Sequence, residues 1–456
     1  MTNGLKFRDR VPNRKVTVLG AGLSGAAAAR LLKRNGAAVF ASEQRAASDM
    51  GEAAQVLASA GVKAEFGGHS PRAFDADWMV LSPGIPLSAP VVVEAKKKGI
   101  KILGELEVAS WFCRAEAVAV TGSNGKSTST TLIGAMFEAS GRPVAVAGNI
   151  GKPFSDVADS LGREAVAVLE VSSFQLETVE TFLPKAALFL NLTQDHLNRH
   201  GSLETYGRIK ARLFKNQGED DWLILNGLDR RVLDLSESAK SRKAYFGIDV
   251  ADRDCGYVRD GMLVLRLGAR EETLLPIGDV GIRGEHNTAN ALAAALTCRA
   301  MGVPVGDIVA VLRTFNGLPH RLESVRELDG VLYVNDSKGT NVDSVWYALG
   351  SFDRPIIWIA GGRDKDSDFT VLANRVQDRV RSIVLIGEAA DKMEKAFDGI
   401  KPVVRAGSLR EAVAEARRLA LPGDVVLLSP ACASFDMFRN FEDRGDQFRI
   451  LVKALP

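Results

Sequence analysis

A four-residue apolar run, Ala117–Val120, leads straight into Thr121-Gly122-Ser123-Asn124-Gly125-Lys126-Ser127-Thr128, and a Ser/Thr-rich helical stretch leaves it. A strand, a glycine turn and a helix in that order constrain this chain more than any other feature. The glycines let backbone N–H groups turn inward around phosphate oxygens, and the helix N-terminus adds positive potential. Lys126 is placed to reach the outer phosphates of a nucleotide, and the Ser127 hydroxyl suits Mg²⁺. The longer glycine pattern of this loop is absent, because Val120 stands where its first glycine would be. The alternative is a chance glycine-lysine-serine loop.

A phosphate loop belongs to an α/β fold, and the rest of the chain alternates accordingly. Val16–Leu19, Ala38–Ala41 and Trp78–Ser82 read as strands, and Gly25–Asn35 and Glu52–Ala60 as helices. Alternation of this kind argues for a parallel sheet with helices on its faces. Further strands are expected at Ala165–Leu169, Ala186–Leu190 and Trp222–Leu225, β-rich structure from Tyr245 to Pro276, and a long helix over Glu285–Met301. A third start follows Pro319, with strands at Val331–Asn335, Ile356–Ala360, Ser382–Ile386 and Val425–Ser429. We therefore expect three α/β domains, at 1–104, 105–317 and 318–456: Rossmann-like, phosphate-loop ATPase-type, and Rossmann-like. At 456 residues the chain is too long for one ordinary core.

Charge narrows the function classes. With 58 basic and 56 acidic residues the formal net charge is +2, which gives no electrostatic case for nucleic acid or a membrane surface. Cys113, Cys255, Cys298 and Cys432 are scattered with no CxxC pair. That pattern fits a reducing cytoplasm with neither a disulfide framework nor a zinc site. Cys432 has no base nearby in sequence and reads as a packing thiol. Lys6, Arg8, Arg10, Arg14 and Lys15 before an apolar stretch imitate a secretory signal. Gly20, Gly22, Ser24 and Gly25 interrupt that stretch, so strand, turn and helix is the better reading. No uncharged apolar run reaches the roughly 18 residues that span a bilayer.

Several residues carry two readings each. Gly20-Ala21-Gly22-Leu23-Ser24-Gly25 follows a strand and opens a helix. Its physical content is a diphosphate held at a helix N-terminus, either a dinucleotide with Glu43 on the ribose or a UDP group. Glu170 ends an apolar strand: an Mg²⁺ support or a solvated carboxylate. His196 follows another strand: a capping or packing residue, or half of a cation site with Glu170. Lys210 is a solvated lysine or a special one. Asn287 and Asn290 lie one helical turn apart, suited to helix capping or to hydrogen bonds with a nucleotide. Arg321 follows Gly317-Leu318-Pro319-His320, a hinge into the third domain. It is a surface ion-pair partner or a guanidinium fork for a γ-phosphate that arrives as that domain closes.

The blocks Gly148-Asn149-Ile150-Gly151, Glu170-Val171-Ser172-Ser173-Phe174-Gln175-Leu176 and Asn191-Leu192-Thr193-Gln194-Asp195-His196-Leu197 settle the choice by resemblance. So do His286-Asn287-Thr288-Ala289-Asn290 and Leu318-Pro319-His320-Arg321. Together with the phosphate loop they resemble the Mur ligases over nearly the whole chain, and more distantly the folylpolyglutamate synthetases. Within the family the likeness is greatest to the branch that adds D-glutamate to UDP-N-acetylmuramoyl-L-alanine.

The resemblance implies an ATP- and Mg²⁺-dependent amide ligase that works through an acyl phosphate. It implies ATP contacts at Gly122, Ser123, Asn124, Gly125, Lys126, Ser127, Thr128, Asn287, Asn290, Arg321, Asp336 and Lys338. The nucleotide sugar would meet Gly22, Leu23, Ser24, Glu43, Arg45, Ser82, Gly84, Asn149 and His196. In the uracil-contacting group only Arg45 is identical to the family residue. The metal would lie near Ser127, Glu170, His196 and Lys210, with Lys210 carbamylated. Lys126, His196, Lys210 and Arg321 would carry catalysis. D-Glutamate would meet Thr340, Ser434, Phe435 and Phe441, with Lys365 as a cation for its side-chain carboxylate. Small-molecule substrates, no nucleic acid, no membrane insertion, a cytoplasmic monomer: these complete the expectation.

Three other readings stand beside it. A sibling ligase would add L-alanine or a diamino acid, but the Asp-Asn-Pro-Arg acceptor motif of the diamino-acid branch is absent. An NAD(P)-dependent oxidoreductase would use Gly20–Gly25 and leave the Gly122–Ser127 loop without a task. A nucleotide-binding module would bind ATP without substrate-dependent phosphate release.

Overall fold

The computed structural model describes residues 5–250, 252–364 and 366–456. Among the described residues the strands form three sheets, one in each of three α/β domains. The chain divides into two compact units. The first runs through Asp279 and includes Ala289–Arg313; the second comprises Val280–Thr288 and Thr314–Pro456.

In the first unit, strands β1 (Lys15–Leu19), β2 (Ala38–Glu43), β3 (Lys63–Phe66), β4 (Trp78–Leu81) and β5 (Lys101–Gly104) make a sheet ordered β3-β2-β1-β4-β5. Every pairing in it is parallel. Central parallel strands are covered on both faces, so they read as near-continuous apolar runs; β1 buries Val16, Val18 and Leu19. The strand order reverses between β1 and β4, which opens a crevice at their carboxyl ends. The helix Leu23–Arg34 covers the sheet with Ala26–Ala29, Leu31 and Leu32. Its close approach needs Gly25, where a Cβ would collide with the Gly20 carbonyl.

The second sheet continues the same unit. It comprises β6 (Glu116–Thr121), β7 (Val144–Gly148), β8 (Val166–Glu170), β9 (Ala186–Phe189), β10 (Trp222–Asn226), β11 (Arg242–Phe246), β12 (Cys255–Arg259), β13 (Met262–Leu267) and β14 (Arg270–Pro276), in the order β14-β13-β12-β11-β10-β9-β6-β8-β7. From β7 to β12 the pairings are parallel, and β12, β13 and β14 add antiparallel hairpins. β6 lies between β8 and β9, so their carboxyl ends flank the glycine loop that leaves β6.

Buried Glu107, on the helix Glu105–Ser110 that directly follows β5, fastens that helix to the segment after β8. Its carboxylate accepts the backbone N–H groups of Glu180 at 2.9 Å and Phe182 at 3.1 Å, and the Trp111 indole N–H at 3.1 Å. Lys101 also pairs with Glu180 at 2.7 Å.

The second unit holds β15 (Glu323–Leu328), β16 (Val331–Asn335), β17 (Ile356–Gly361), β18 (Val380–Ile386), β19 (Val403–Arg405) and β20 (Val425–Leu428), ordered β15-β16-β20-β17-β18-β19. Only the edge strand β15 is antiparallel. β16, β20 and β17 are adjacent, which brings the three loops at their carboxyl ends together. All four cysteines are buried, and none is in a disulfide. No described helix is long and apolar enough to cross a membrane.

Candidate active site

The phosphate loop is held open by the segment that follows β9. Asn191 and Asn124 exchange two hydrogen bonds, Asn124 N to Asn191 Oδ1 at 2.8 Å and Asn191 Nδ2 to the Asn124 carbonyl at 3.1 Å. Ser123 does the same with Thr193: its hydroxyl donates to the Thr193 carbonyl at 3.0 Å and accepts the Thr193 N–H at 2.9 Å. Lys126 Nζ curls over the loop to the carbonyls of Gly122 at 2.9 Å and Ser123 at 2.7 Å. Gly125 caps the helix Lys126–Ala139 at φ 82°, a left-handed conformation. A Cβ there would run into the Asn290 side-chain oxygen, which also accepts from the Ser129 hydroxyl at 3.4 Å. Asn290 is thus packed against the loop. Ser127 and Thr128 are buried beneath it.

Glu170 ends β8 inside the protein. Oε1 accepts from the Asn149 amide at 2.8 Å, while Oε2 is buried with no hydrogen-bond partner among the described residues. A buried carboxylate oxygen of that kind suits a cation. No three His, Cys, Asp or Glu side chains among the described residues cluster as a metal site. Mg²⁺ characteristically takes one or two carboxylates and completes its shell with water and phosphate oxygens, so the donor set fits.

Lys210 is 1% exposed. Its Nζ donates to the Gly122 carbonyl at 2.8 Å and stands 4.5 Å from the centre of the Tyr206 ring. Burial, then the nearby Lys126 charge, pushes its amine well below the ordinary lysine value, against the attraction of Asp195 and Glu170. The solvated-lysine reading is excluded. A neutral amine is nucleophilic and can take up CO₂ as a carbamate; an ammonium cannot. His196, at φ 53°, packs its ring 4.8 Å from Phe174 and faces Asp195 at 3.5 Å.

In the crevice of the first sheet, Gly20 adopts φ 83° and its carbonyl accepts from the Ser82 hydroxyl at 2.9 Å. Gly22 and Ser24 are partly exposed, and Leu23 and Gly84 are exposed. Glu43 is buried, and its carboxylate is already engaged. Oε2 accepts the Ala21 N–H at 2.7 Å, and Oε1 accepts Arg45 N and Nε at 3.0 and 3.1 Å. Glu43, expected as a ligand of the nucleotide sugar, braces the glycine turn against Arg45, and Arg45 is the half-exposed member of the pair.

In the second unit, Asp336 follows β16. Its Oδ2 accepts from Ser429 at 2.6 Å and Oδ1 from Leu322 N at 3.2 Å. Burial pushes its carboxyl up to about 6, with the Ser429 hydrogen bond and the Arg321 charge opposing. Lys338 Nζ lies 4.8 Å from the centre of the Phe441 ring. The three loops meet around Arg444, which is fully buried. Its guanidinium donates to the Ser337 hydroxyl at 2.9 Å, the Ser337 carbonyl at 2.8 Å and the Cys432 carbonyl at 3.3 Å. Gly361 N to the Pro430 carbonyl and Ala431 N to the Gly339 carbonyl, both 2.9 Å, complete the convergence. Thr340 is partly exposed, Ser434 buried and Phe435 exposed; Lys365 lies outside the described residues. The Asn287 amide donates to the Arg283 carbonyl at 2.8 Å.

Residues 14–104 match the Mur ligase MurD-like N-terminal domain, 120–298 the Mur ligase middle domain, and 320–432 the Mur ligase glutamate ligase domain. A UDP-N-acetylmuramoylalanine–D-glutamate ligase of Salinibacter ruber is 48% identical over 98% of this chain and 99% of its own. The chain belongs to the Mur ligase family. A Pelotomaculum thermopropionicum protein of the same name is 43% identical over 97% of this chain and 98% of its own. Solved Mur-type structures share the fold. The pseudomurein peptide ligase type C of Methanothermus fervidus superposes with a TM-score of 0.62 at 18% identity, over 97% of this chain and 100% of its own. The UDP-N-acetylmuramate-alanine ligase of Thermotoga maritima gives 0.61 at 18%, with the same coverage.

Within this Mur ligase the first unit gathers the loop residues 122–128 with Asn149, Glu170, Lys210 and Asn290. The second unit brings Lys338 to Phe441 and Asp336 to Ser429. Sequence reading missed Tyr206 and Arg444, and singled out Asn191 and Thr193 only as part of a family block, without their role as a clasp. Tyr206 sits one turn before Lys210 on the same helix, and that spacing was a usable signal. Arg444 gave none, because its helix reads as an exposed charged stretch.

Proposed function

We propose that this chain joins D-glutamate to UDP-N-acetylmuramoyl-L-alanine, converting ATP to ADP and phosphate, as a step in peptidoglycan precursor synthesis. The observation that carries this reading is the full-length likeness, at 40–48% identity, to relatives bearing that activity in their name. The first sheet, up to residue 104, is assigned to the nucleotide sugar, residues 105–317 to ATP, and 318–456 to the amino acid.

The carboxylate of the alanyl group attacks the γ-phosphorus of ATP, and ADP leaves. The amine of D-glutamate then attacks the acyl carbon, losing a proton, and phosphate departs from the tetrahedral intermediate. Two anions approach in the first step, so the protein's main contribution is positive charge and positioning. Lys126 and Arg321 are assigned to the γ-phosphate; Asn287, Asn290, Asp336 and Lys338 to the rest of the nucleotide. Ser127, Glu170, His196 and a carbamylated Lys210 would hold Mg²⁺, which when bound neutralises phosphate charge. Gly22, Leu23, Ser24, Glu43, Arg45, Ser82, Gly84, Asn149 and His196 are assigned to the nucleotide sugar. Thr340, Lys365, Ser434, Phe435 and Phe441 are assigned to D-glutamate.

The test is phosphate release from ATP and Mg²⁺ with UDP-N-acetylmuramoyl-L-alanine, offering D-glutamate, L-glutamate, L-alanine or a diamino acid in turn. Release that needs D-glutamate and disappears in Lys126→Ala is the expected result. Release with another amino acid moves the chain to a sibling step. Folded, ATP-binding protein that releases none is a nucleotide-binding module.

A further inference from the structure

Arg199 joins two loops that lie in different domains of the first unit. Its guanidinium forms a two-pronged pair with Glu177, Nε to Oε1 at 3.0 Å and Nη2 to Oε2 at 2.7 Å. The remaining donors reach across to the loop after β4, Nη1 to the Gly84 carbonyl and Nη2 to the Ile85 carbonyl, both at 3.1 Å. The guanidinium carbon lies 4.4 Å from the centre of the Phe174 ring, and that ring packs 4.8 Å from His196. The Arg199 and Glu177 side chains are 13% and 10% exposed. Water therefore screens this pair weakly, and four directed bonds fix the fork.

These contacts form a chain with a direction. Gly20 is held by Ser82 at 2.9 Å, and a Cβ on Gly20 would press on Ile85 Cδ1 at 2.8 Å. Gly84 and Ile85 are held by Arg199, and Arg199 packs on Phe174 beside His196. One end is the glycine turn suited to a diphosphate. The other is His196, three positions after Thr193, whose backbone exchanges hydrogen bonds with the phosphate loop's Ser123. A substrate whose nucleotide end binds the turn and whose reacting carboxylate must reach ATP spans this same interval. Its two ends are in register only if the two loops keep a fixed separation.

We propose that Arg199 is a positioning residue that sets this separation, so that it governs recognition of the nucleotide sugar as a whole and not of ATP or the amino acid. The inference rests on the ligase reading. Lysine at this position keeps the charge but has no planar fork, so it holds either Glu177 or the Gly84–Ile85 carbonyls and not both.

The test compares wild type with Arg199→Lys and Arg199→Ala. Steady-state constants are measured for each of the three substrates, with thermal melting as a folding check. The expected result for Arg199→Lys is a KM for UDP-N-acetylmuramoyl-L-alanine raised about tenfold or more, a loss of about 1.4 kcal/mol. The KM values for ATP and D-glutamate stay within about twofold, and free guanidinium partly restores Arg199→Ala. A melting point lowered with all three KM values at wild type makes Arg199 a structural tie only and overturns the proposal. So does a loss spread evenly over the three substrates. If Arg199→Ala does not fold, Arg199→Lys and Glu177→Gln decide the matter by the same split. Wild-type turnover with an unchanged nucleotide-sugar KM in Arg199→Lys defeats this inference alone. Wild-type protein that turns over no amino acid defeats the ligase reading and this inference together.

Discussion

The Lys210 side-chain nitrogen lies 2.8 Å from the Gly122 carbonyl oxygen, buried beneath the phosphate loop. Its amine is held well below the ordinary value by burial and by Lys126, a shift that favours the neutral form that can add CO₂. We expect a carbamate, visible as a ¹³C resonance when the protein is equilibrated with labelled bicarbonate and absent from Lys210→Arg. That variant should lose roughly a hundredfold in kcat, the upper range for losing a group that supports a metal. Full activity in CO₂-free buffer with no carbamate signal would remove Lys210 from the metal set.

Asp336 makes stability depend on pH in a definite direction. Its carboxyl is raised to about 6 from 3.8, chiefly by burial. A folded value above the unfolded one means the protonated form stabilises the fold. That stabilisation is full below 3.8 and is lost as pH rises through about 6. The difference is about 3 kcal/mol at 1.36 kcal/mol per unit. Asp336→Asn cannot titrate, so unfolding of the second unit in denaturant should shift in the variant's favour by up to that amount between pH 4 and pH 7. A gap between wild type and variant that is flat with pH would show that the carboxyl does not titrate in this window.

Gly125→Ala meets two obstacles at once, a left-handed backbone and the Asn290 side-chain oxygen. Positive φ costs a non-glycine residue about 1–2 kcal/mol, and the collision adds to it. ATP affinity should fall by at least tenfold, a loss of about 1.4 kcal/mol. In an Asn290→Ala background the further loss on Gly125→Ala should be smaller. Equal losses in the two backgrounds, measured by calorimetric titration, would show that the two residues act independently.

Arg444 ties the loops after β16 and β20, so Arg444→Met leaves the carbonyls of Ser337 and Cys432 buried without their donor. A buried acceptor without its partner costs about 1–3 kcal/mol, and the loops at those strand ends should loosen. The KM for D-glutamate should rise while ATP binding to the first unit's loop is preserved. A rise in the ATP constant alone would contradict this assignment.

What was legible in the sequence was what is contiguous. The phosphate loop carries its strand, its turn and its helix within a dozen residues, and the central strands announce themselves as apolar runs because both faces are covered. Edges were not legible. Lys63–Phe66, Val144–Gly148 and Glu323–Leu328 are short or charge-rich strands at or near sheet margins, where one flank meets solvent and polar residues are tolerated. Long-range partnerships were hidden for a different reason. Glu43 sits where an acidic ligand residue was expected, and residue type alone does not disclose that its oxygens are taken by Ala21 and Arg45. Arg444 lies in a helix whose pattern of charges looks solvated, and only the fold buries it.

The second unit is not one continuous stretch of chain: residues 280–288 belong to it, while 289–313 return to the first. Exchanging acceptor specificity between related ligases is therefore a three-junction graft. A chimera spliced once, near residue 317, would take residues 318–456 from one parent and the Ile282–Asn287 segment, whose His286 ring packs 5.6 Å from Tyr347, from the other. Donor chains for such grafts should be cut at 279, 288 and 313, and single-junction hybrids should express as mismatched proteins even when both parents are stable.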